Sequence, residues 1–362
     1  MHNVTDRIKA LLRPELQQLS AYHVPPATGF VKLDAMENPY DWPAELVDEW
    51  LQRLRAVKPN RYPDPSSATL CAALISSFKI PTESALLLGN GSDELIQIIL
   101  MAIAGQGSVV LTPEPTFVMY RQIAVGLGLR FEGVPLHSDD FSLDMPAMIA
   151  AIETLRPAVI FLAYPNNPTG NLFRRDEIEQ ILSLSPGLVV VDEAYAAFTD
   201  NSFMTRLPEY PNLLVMRTLS KQGLAGLRLG YMAGDPGLIA ELDKLRLPYN
   251  INILTQASAQ LALEKASIFD EQVSHIREQR QWLLARLNEI ASIRTYPSEA
   301  NFITFRVLSM NATDVFHRLK QAGILIKNLD PAGGLLGGCL RVTVGTPEEN
   351  RIFVDELHRI TS

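Results

Sequence analysis

The sequence predicts an α/β fold, with a large domain built on a mainly parallel sheet flanked by helices and a smaller α/β domain following it. Three features of the pattern predict it. From about Ser84 to Gly234, short apolar runs end in turn residues and alternate with helical stretches. Beyond Pro236 the pattern turns helical, with an apolar periodicity from Leu254 to about Leu287 long enough to bridge two domains. Strands and helices then alternate again to the end of the chain.

The strands of the large domain read as Ala85-Leu86-Leu87-Leu88 into Gly89, Val109-Val110-Leu111 into Pro113, Val159-Ile160-Phe161-Leu162 into Pro165, and Leu188-Val189-Val190-Val191 into Asp192. Continuous apolar runs, several rich in β-branched residues, suit strands covered on both faces, as a parallel sheet requires. Leu213-Leu214-Val215-Met216 and Leu229-Gly230-Tyr231-Met232-Ala233 add two more. The C-terminal part reads strand (Asn301 to Val307), helix (Ala312 to Ala322), strand (Ile324 to Asn328), strand (Leu340 to Val344) and helix (Pro347 to Ile360). The expected division is therefore 51–265 for the large domain and 266–362 for the small one. Residues 1–50 form a segment too small to fold alone, expected to pack on the small domain and on a partner.

Composition narrows the function. The chain has 362 residues, 47% of them hydrophobic, with a net charge of −8 and a pI near 5.4. That balance argues against a general nucleic-acid or anionic-membrane surface and leaves a local basic pocket for a small anion open. No apolar run approaches the roughly 18 to 20 residues of a membrane span. The start, Met1 to Arg13, has no signal-peptide core, so a cytoplasmic protein is expected. Two cysteines, Cys71 and Cys339, and six scattered histidines show neither a disulfide framework nor ligand spacing for a metal.

In parallel α/β sheets ligands bind at the carboxyl ends of strands, and here those ends carry unusual residues. Thr218-Leu219-Ser220-Lys221-Gln222-Gly223 through Arg228 and Gly230 sets one lysine among hydroxyls, glycines and an arginine. Lysine condenses with a carbonyl as a Schiff base when burial or nearby positive charge lowers its pKa. The hydroxyls, the arginine and close backbone approach at the glycines suit a phosphate, although a surface lysine loop has the same composition. Gly89-Asn90-Gly91-Ser92-Asp93-Glu94 leads into a helical run, whose free N–H groups make an anion site; an ordinary N-cap at Ser92 or Asp93 explains it equally. Asn167, in a Pro-Asn-Asn-Pro turn, and Asp192 with Tyr195 follow two further strands. A buried carboxylate such as Asp192 keeps a pyridine nitrogen protonated and the ring an electron sink, while Asn167 and Tyr195 suit its phenolate oxygen.

With these motifs in hand, the chain resembles the fold-type I pyridoxal-phosphate-dependent transferases, and within them the histidinol-phosphate aminotransferases. The markers run in family order: Leu33-Asp34-Ala35-Met36-Glu37-Asn38-Pro39-Tyr40, Arg61-Tyr62-Pro63-Asp64, Gly91-Ser92-Asp93-Glu94, Pro165-Asn166-Asn167-Pro168-Thr169-Gly170, Asp192-Glu193-Ala194-Tyr195, Ser220-Lys221, and Leu340-Arg341-Val342-Thr343-Val344-Gly345-Thr346. The resemblance implies pyridoxal 5′-phosphate as cofactor, Lys221 as the lysine that bonds it, and Asp192 at its ring nitrogen. Asn167 and Tyr195 are implied at the ring oxygen, and Ser92, Asp93, Thr218, Ser220 and Arg228 around the phosphate. Tyr120 matches an aromatic that stacks on the ring. Tyr62 matches a residue that crosses a homodimer interface to the partner's cofactor phosphate. Arg341, Asn167, Lys327 and Tyr22 are implied on the substrate side, and Asn301 stands at a matching strand start.

The implied reaction is transamination of L-histidinol phosphate with 2-oxoglutarate, giving imidazole acetol phosphate and L-glutamate, a step of histidine biosynthesis. An aromatic amino-acid aminotransferase, a phosphothreonine decarboxylase and, more remotely, a non-catalytic regulator that senses the cofactor are the alternatives. Two departures from the commonest pattern stand out. Lys327 takes the place of a second arginine, offering a point charge where relatives have a fork. Lys221 and Arg228 are also one position closer than in many such enzymes, so Arg228 reaches the phosphate only if the turn through Gly223 compensates.

Overall fold

The computed structural model describes residues 8–17, 19–21, 26–105 and 107–362. Its large sheet has seven strands: β2 (Ala85–Gly89), β3 (Val109–Glu114), β4 (Arg130–Pro135), β5 (Val159–Ala163), β6 (Leu188–Asp192), β7 (Leu213–Thr218) and β8 (Gly230–Gly234), in the order β2-β8-β7-β6-β5-β3-β4. The four pairings from β7 through β4 are parallel, and β8 runs antiparallel to both its neighbours. The mainly parallel sheet is thus present.

Alternation along the strands supplies cores on both faces. Ile160, Leu162, Val189, Val191 and Val215 enter one hydrophobic cluster, while Val159, Phe161, Val190, Leu214 and Met216 enter the other. Residues two apart in a strand share a face, so a continuous apolar run fills two cores at once. The one strand of the large sheet that the sequence pattern does not reveal is β4. It lies at the sheet edge, and of its residues only Val134 is buried, so it lacks the apolar run that marks the others.

The small sheet is antiparallel, in the order Lys327–Asn328, Cys339–Thr343, Phe302–Val307, Ile293–Thr295. The short strand at Ile293–Thr295 was not expected, and the expected strand over 324–328 is split at Ile326. Its first half, Ile324–Leu325, pairs in parallel with β1 (Val31–Lys32). Phe302, Phe305, Leu340, Val342 and Phe353 build the core here.

The long helical stretch is two helices, Ile253–Glu264 and Ala266–Asn288, broken at Lys265, where φ is −107° and ψ 30°. Ala259, Leu261 and Ala262 of the first join the large core, and Val273, Ile276, Leu283 and Leu287 of the second join the small one. The N-terminal segment is divided as well. Leu33 enters the small core, but Leu46, Trp42 and Trp50 pack on the large core, in place of the small-domain packing expected of the whole segment. Among the described residues, no helix is long and apolar enough to cross a membrane.

Candidate active site

β2, β5, β6 and β7 point their carboxyl ends to one edge of the large sheet, and the sequence-predicted residues meet there. A cavity of about 120 Å³ is lined by Ser92, Asp93, Phe117, Asn167, Asp192, Tyr195, Thr218, Ser220, Lys221 and Arg228, among others. Arg341 and Lys327 line a neighbouring cavity, Tyr62, Tyr120 and Asn301 line neither, and Tyr22 lies outside the described residues.

Asp192 is the last residue of β6, carried into the interior by the Val189-Val190-Val191 run and only 3% exposed. Its carboxylate accepts a hydrogen bond from Tyr120 Oη at 2.6 Å and one from the Ala194 amide at 3.1 Å. Burial, set against those two bonds, pushes its pKa up to about 6. Lys221 follows β7 in a 3₁₀ turn, its Nζ 3.3 Å from the Ala35 carbonyl and 5.9 Å from the Tyr195 ring centroid. Burial, reinforced by the Arg341 and Arg228 guanidiniums, brings its amine down to about 8. An amine near that value is half neutral in mildly alkaline water, which is what a nucleophile and proton carrier needs.

The helix Ser92–Ile103 begins after Gly91, with no side chain capping its free N–H groups. Thr218 Oγ1 donates to Ser220 Oγ at 2.9 Å, so the two hydroxyls are held together. The short loop after Lys221 still brings Arg228 to the cavity. Gly223 takes a left-handed φ of 102°, a second 3₁₀ turn follows, and Arg228 at φ 51° reaches back to lie 3.4 Å from Asp93 Oδ2. The approach is close. A Cβ at Gly91 would sit 2.6 Å from Arg228 Nη2, and one at Gly230 would sit 2.8 Å from the Ser92 amide nitrogen.

The two asparagines of the Pro-Asn-Asn-Pro turn have separate jobs. Asn166, fully buried, accepts from Thr116 Oγ1 at 3.0 Å and donates to the Pro115 carbonyl at 2.9 Å, tying two strand-end loops together. Asn167 faces the cavity, donating to Tyr195 Oη at 3.0 Å and accepting from Arg341 Nη1 at 2.5 Å. Arg341 also donates to the Asp34 carbonyl at 3.1 Å and lies over the Phe302 ring at 5.0 Å.

Arg341 and Lys327 are directly opposite one another across two antiparallel strands. Both line a second cavity, about 620 Å³, which shares Met36, Phe117 and Asn167 with the first. Burial and the neighbouring Arg341 push the Lys327 amine down. Like charges facing across a ladder are unfavourable, so the pair suits an anion lying between them.

Tyr120 is not where a ring-stacking residue would stand. It is fully buried behind Asp192, stacked on Phe161 with centroids 4.7 Å apart. Its hydroxyl holds the carboxylate, and the aromatics lining the cavity are Phe117 and Tyr195. The reason is local: the helix starts at Val118, leaving Phe117 at its mouth and turning Tyr120 toward the sheet. Tyr62 lies away from the cavity, 79% exposed and stacked on Tyr249 at 4.4 Å. Asn301 is fully buried and donates to the Met36 carbonyl at 3.0 Å, a bond that fixes the backbone beside Lys221. Tyr22 lies outside the described residues.

Beyond Phe117, sequence reading missed the backbone of Asp34, Ala35 and Met36. Their motif was legible, but carbonyl contacts leave no side-chain signature. A seven-stranded α/β sheet with a buried lysine, an aspartate and a helix-start anion cradle at one edge defines a pyridoxal-phosphate enzyme of fold type I. Residues 28–357 match the model of the aminotransferase class I and II family, and the chain belongs to that family. It is 55% identical over 352 residues to histidinol-phosphate aminotransferase 2 of Nitrosococcus oceani, covering 97% of this chain and 98% of that one. It is 50% identical, also over 352 residues, to the histidinol-phosphate aminotransferase of Chromobacterium violaceum, with the same two coverages. The crystal structure of histidinol-phosphate aminotransferase from Sinorhizobium meliloti in complex with pyridoxal-5′-phosphate superposes with a TM-score of 0.83 at 24% identity, covering 97% of this chain and 98% of that one. This chain is an aminotransferase and its cofactor is pyridoxal 5′-phosphate.

Proposed function

We propose that the enzyme transaminates L-histidinol phosphate with 2-oxoglutarate, giving imidazole acetol phosphate and L-glutamate. The observation that carries this is the facing pair Arg341 and Lys327 in the lining of a cavity that shares Met36, Phe117 and Asn167 with the one holding Lys221. A phosphorylated amine fits that layout, its anion between the two cations and its amine toward Lys221. The names borne by the 55% and 50% identical relatives support the same substrate.

The donor set fits the cofactor. Uncapped N–H groups at Ser92 and Asp93, the Thr218 and Ser220 hydroxyls and the Arg228 guanidinium would hold its phosphate. Asp192 would hold the ring nitrogen, Asn167 and Tyr195 the ring oxygen, and Phe117 would cover a ring face. Bound there, pyridoxal phosphate supplies an electron sink for the pair left on the substrate's α-carbon when its proton departs.

The remaining work falls to the chain. Lys221 Nζ, near neutral at about 8, is the base for the α-proton. Tyr120 donates to Asp192 and so favours the ionised carboxylate against the burial that opposes it. Asn167 bonds both Tyr195 and Arg341, coupling the oxygen-binding pair to the anion-binding side. We further propose a cytoplasmic homodimer, in which exposed Tyr62 reaches the partner's cofactor phosphate.

The test is an absorbance spectrum of the purified holoenzyme with histidinol phosphate, then with 2-oxoglutarate. Loss of the starting band and its restoration are expected. A spectral change with phenylalanine or phosphothreonine, and none with histidinol phosphate, would overturn the substrate assignment.

A further inference from the structure

We propose that Glu114 sets the side-chain preference of this enzyme, its carboxylate receiving an N–H of a nitrogen heterocycle on the substrate. The assignment rests on a phosphorylated amine as substrate and adds what the far end of that molecule must carry.

Two ends of the substrate are fixed by the site: the anion at Arg341 and Lys327, the amine toward Lys221. The lining of the 620 Å³ cavity also includes Glu114, Val118, Phe131, Pro135, Leu335 and Leu336. All of these but Glu114 are apolar, a surface that suits the faces of a ring. Among the described residues lining the cavity, Glu114 is the one carboxylate. Arg121, also in the lining, is turned to the Phe131 ring, 5.4 Å from its centroid.

Glu114 is the last residue of β3, paired in register with Pro135 of the edge strand β4. Its side chain lies over Gly133, two residues back on that strand, where any Cβ would overlap the carboxylate. The bare Cα therefore gives the carboxylate its place beside that surface. Edge strand and glycine together leave a negative charge in the lining of a cavity that also carries Arg341 and Lys327.

Those charges match a molecule with a phosphate at one end and a basic ring at the other. An imidazole, with a pKa near 6.5, donates an N–H whether neutral or charged. A phenyl ring of similar size donates nothing and would leave the Glu114 carboxylate desolvated without a partner. Sites built to receive an N–H reject isosteres that lack it for this reason.

The experiment compares wild type, Glu114→Gln and Glu114→Leu as holoenzymes. Calorimetry measures binding of two unreactive probes, 3-(imidazol-4-yl)propyl phosphate and 3-phenylpropyl phosphate, and kinetics measures kcat/KM for histidinol phosphate and phenylalaninol phosphate. Wild type should prefer the imidazole member of each pair. Glu114→Leu should lose about ten- to a hundredfold on the imidazole members and nothing on the phenyl members, with Glu114→Gln between. Equal losses on both rings, or no loss, would overturn the proposal. If the leucine variant folds poorly, the near-isosteric glutamine variant, with wild-type melting temperature and cofactor absorbance, carries the comparison. A wild type that turns over neither phosphorylated amine would remove the substrate reading and this one with it. A wild type that turns over histidinol phosphate with its preference intact in both variants would remove this one alone.

Discussion

On the large-sheet side of the site, Asp192, Asn167, Thr218 and Ser220 are each held by hydrogen bonds within the chain, at the ends of buried strands. On the small-sheet side, Arg341 and Lys327 face each other as like charges on the short two-residue pairing between Lys327–Asn328 and Cys339–Thr343. The first arrangement fixes geometry and tunes two pKa values, Asp192 upward and Lys221 downward. The second stores a repulsion that an anion relieves. Substitutions on the large-sheet side should therefore appear in kcat and in the cofactor's spectrum, and those on the small-sheet side chiefly in KM.

The largest effect expected is that of Lys221→Ala. Removing the amine proposed to carry both the cofactor and the α-proton should lower kcat on the order of 10⁴-fold and abolish the visible band of the lysine-bound cofactor. Retained turnover would sink the assignment. The depressed pKa makes a second claim on the same residue. Cofactor capture by the apoenzyme needs the neutral amine, so its rate should rise with pH and level off above about 8, not above the ordinary 10.5. Stopped-flow absorbance across pH 6 to 10 reads this directly.

Asp192→Asn comes next, expected to lower kcat about 10²- to 10³-fold. It also separates catalysis from stability. The folded-state pKa is raised from 3.8 to about 6, so the charged carboxylate opposes folding at neutral pH by roughly 3 kcal/mol. That destabilisation sets in as pH rises from about 4 to about 6 and is absent below about 4. The cofactor-free Asp192→Asn enzyme should accordingly be more stable than wild type at pH 7 and equal to it near pH 4. Thermal melts at the two pH values check it; an asparagine variant less stable at pH 7 would show that the aspartate is better solvated than its burial implies.

The contrast between the two sides also explains what was legible in the sequence. β6 and β7 announce themselves because a strand buried on both faces must be apolar throughout, so Asp192 and Lys221 fall at visible strand ends. β4 lies at the sheet edge with only Val134 buried, and with it the relation of Gly133 to Glu114 was invisible. The choice between Phe117 and Tyr120 turned on where a helix begins, a matter of one turn that periodicity does not resolve. The pairing of Lys327 with Arg341 depends on the register between strands separated by a Gly-rich loop, and sequence spacing does not set that register. The break at Lys265 left no mark because neither proline nor glycine makes it.

The smallest effects belong to the cation pair, and they test whether the small-sheet side is the anion site. Arg341→Gln removes charge-assisted donation to a phosphate and should raise KM for histidinol phosphate about ten- to a hundredfold while changing kcat less. Arg341→Lys should recover only part of this, because a point charge cannot also keep the bonds to Asn167 and Asp34 that the fork makes. Lys327→Gln should raise KM only about two- to tenfold, since the same substitution relieves the repulsion facing Arg341 and stabilises the cross-strand pair by a few tenths of a kcal/mol. Melting temperature and KM measured on the same preparations distinguish the two contributions. A Lys327→Gln enzyme with unchanged KM but raised stability would mean that Arg341 alone receives the anion, and unchanged KM in both Arg341 variants would move the anion out of this cavity.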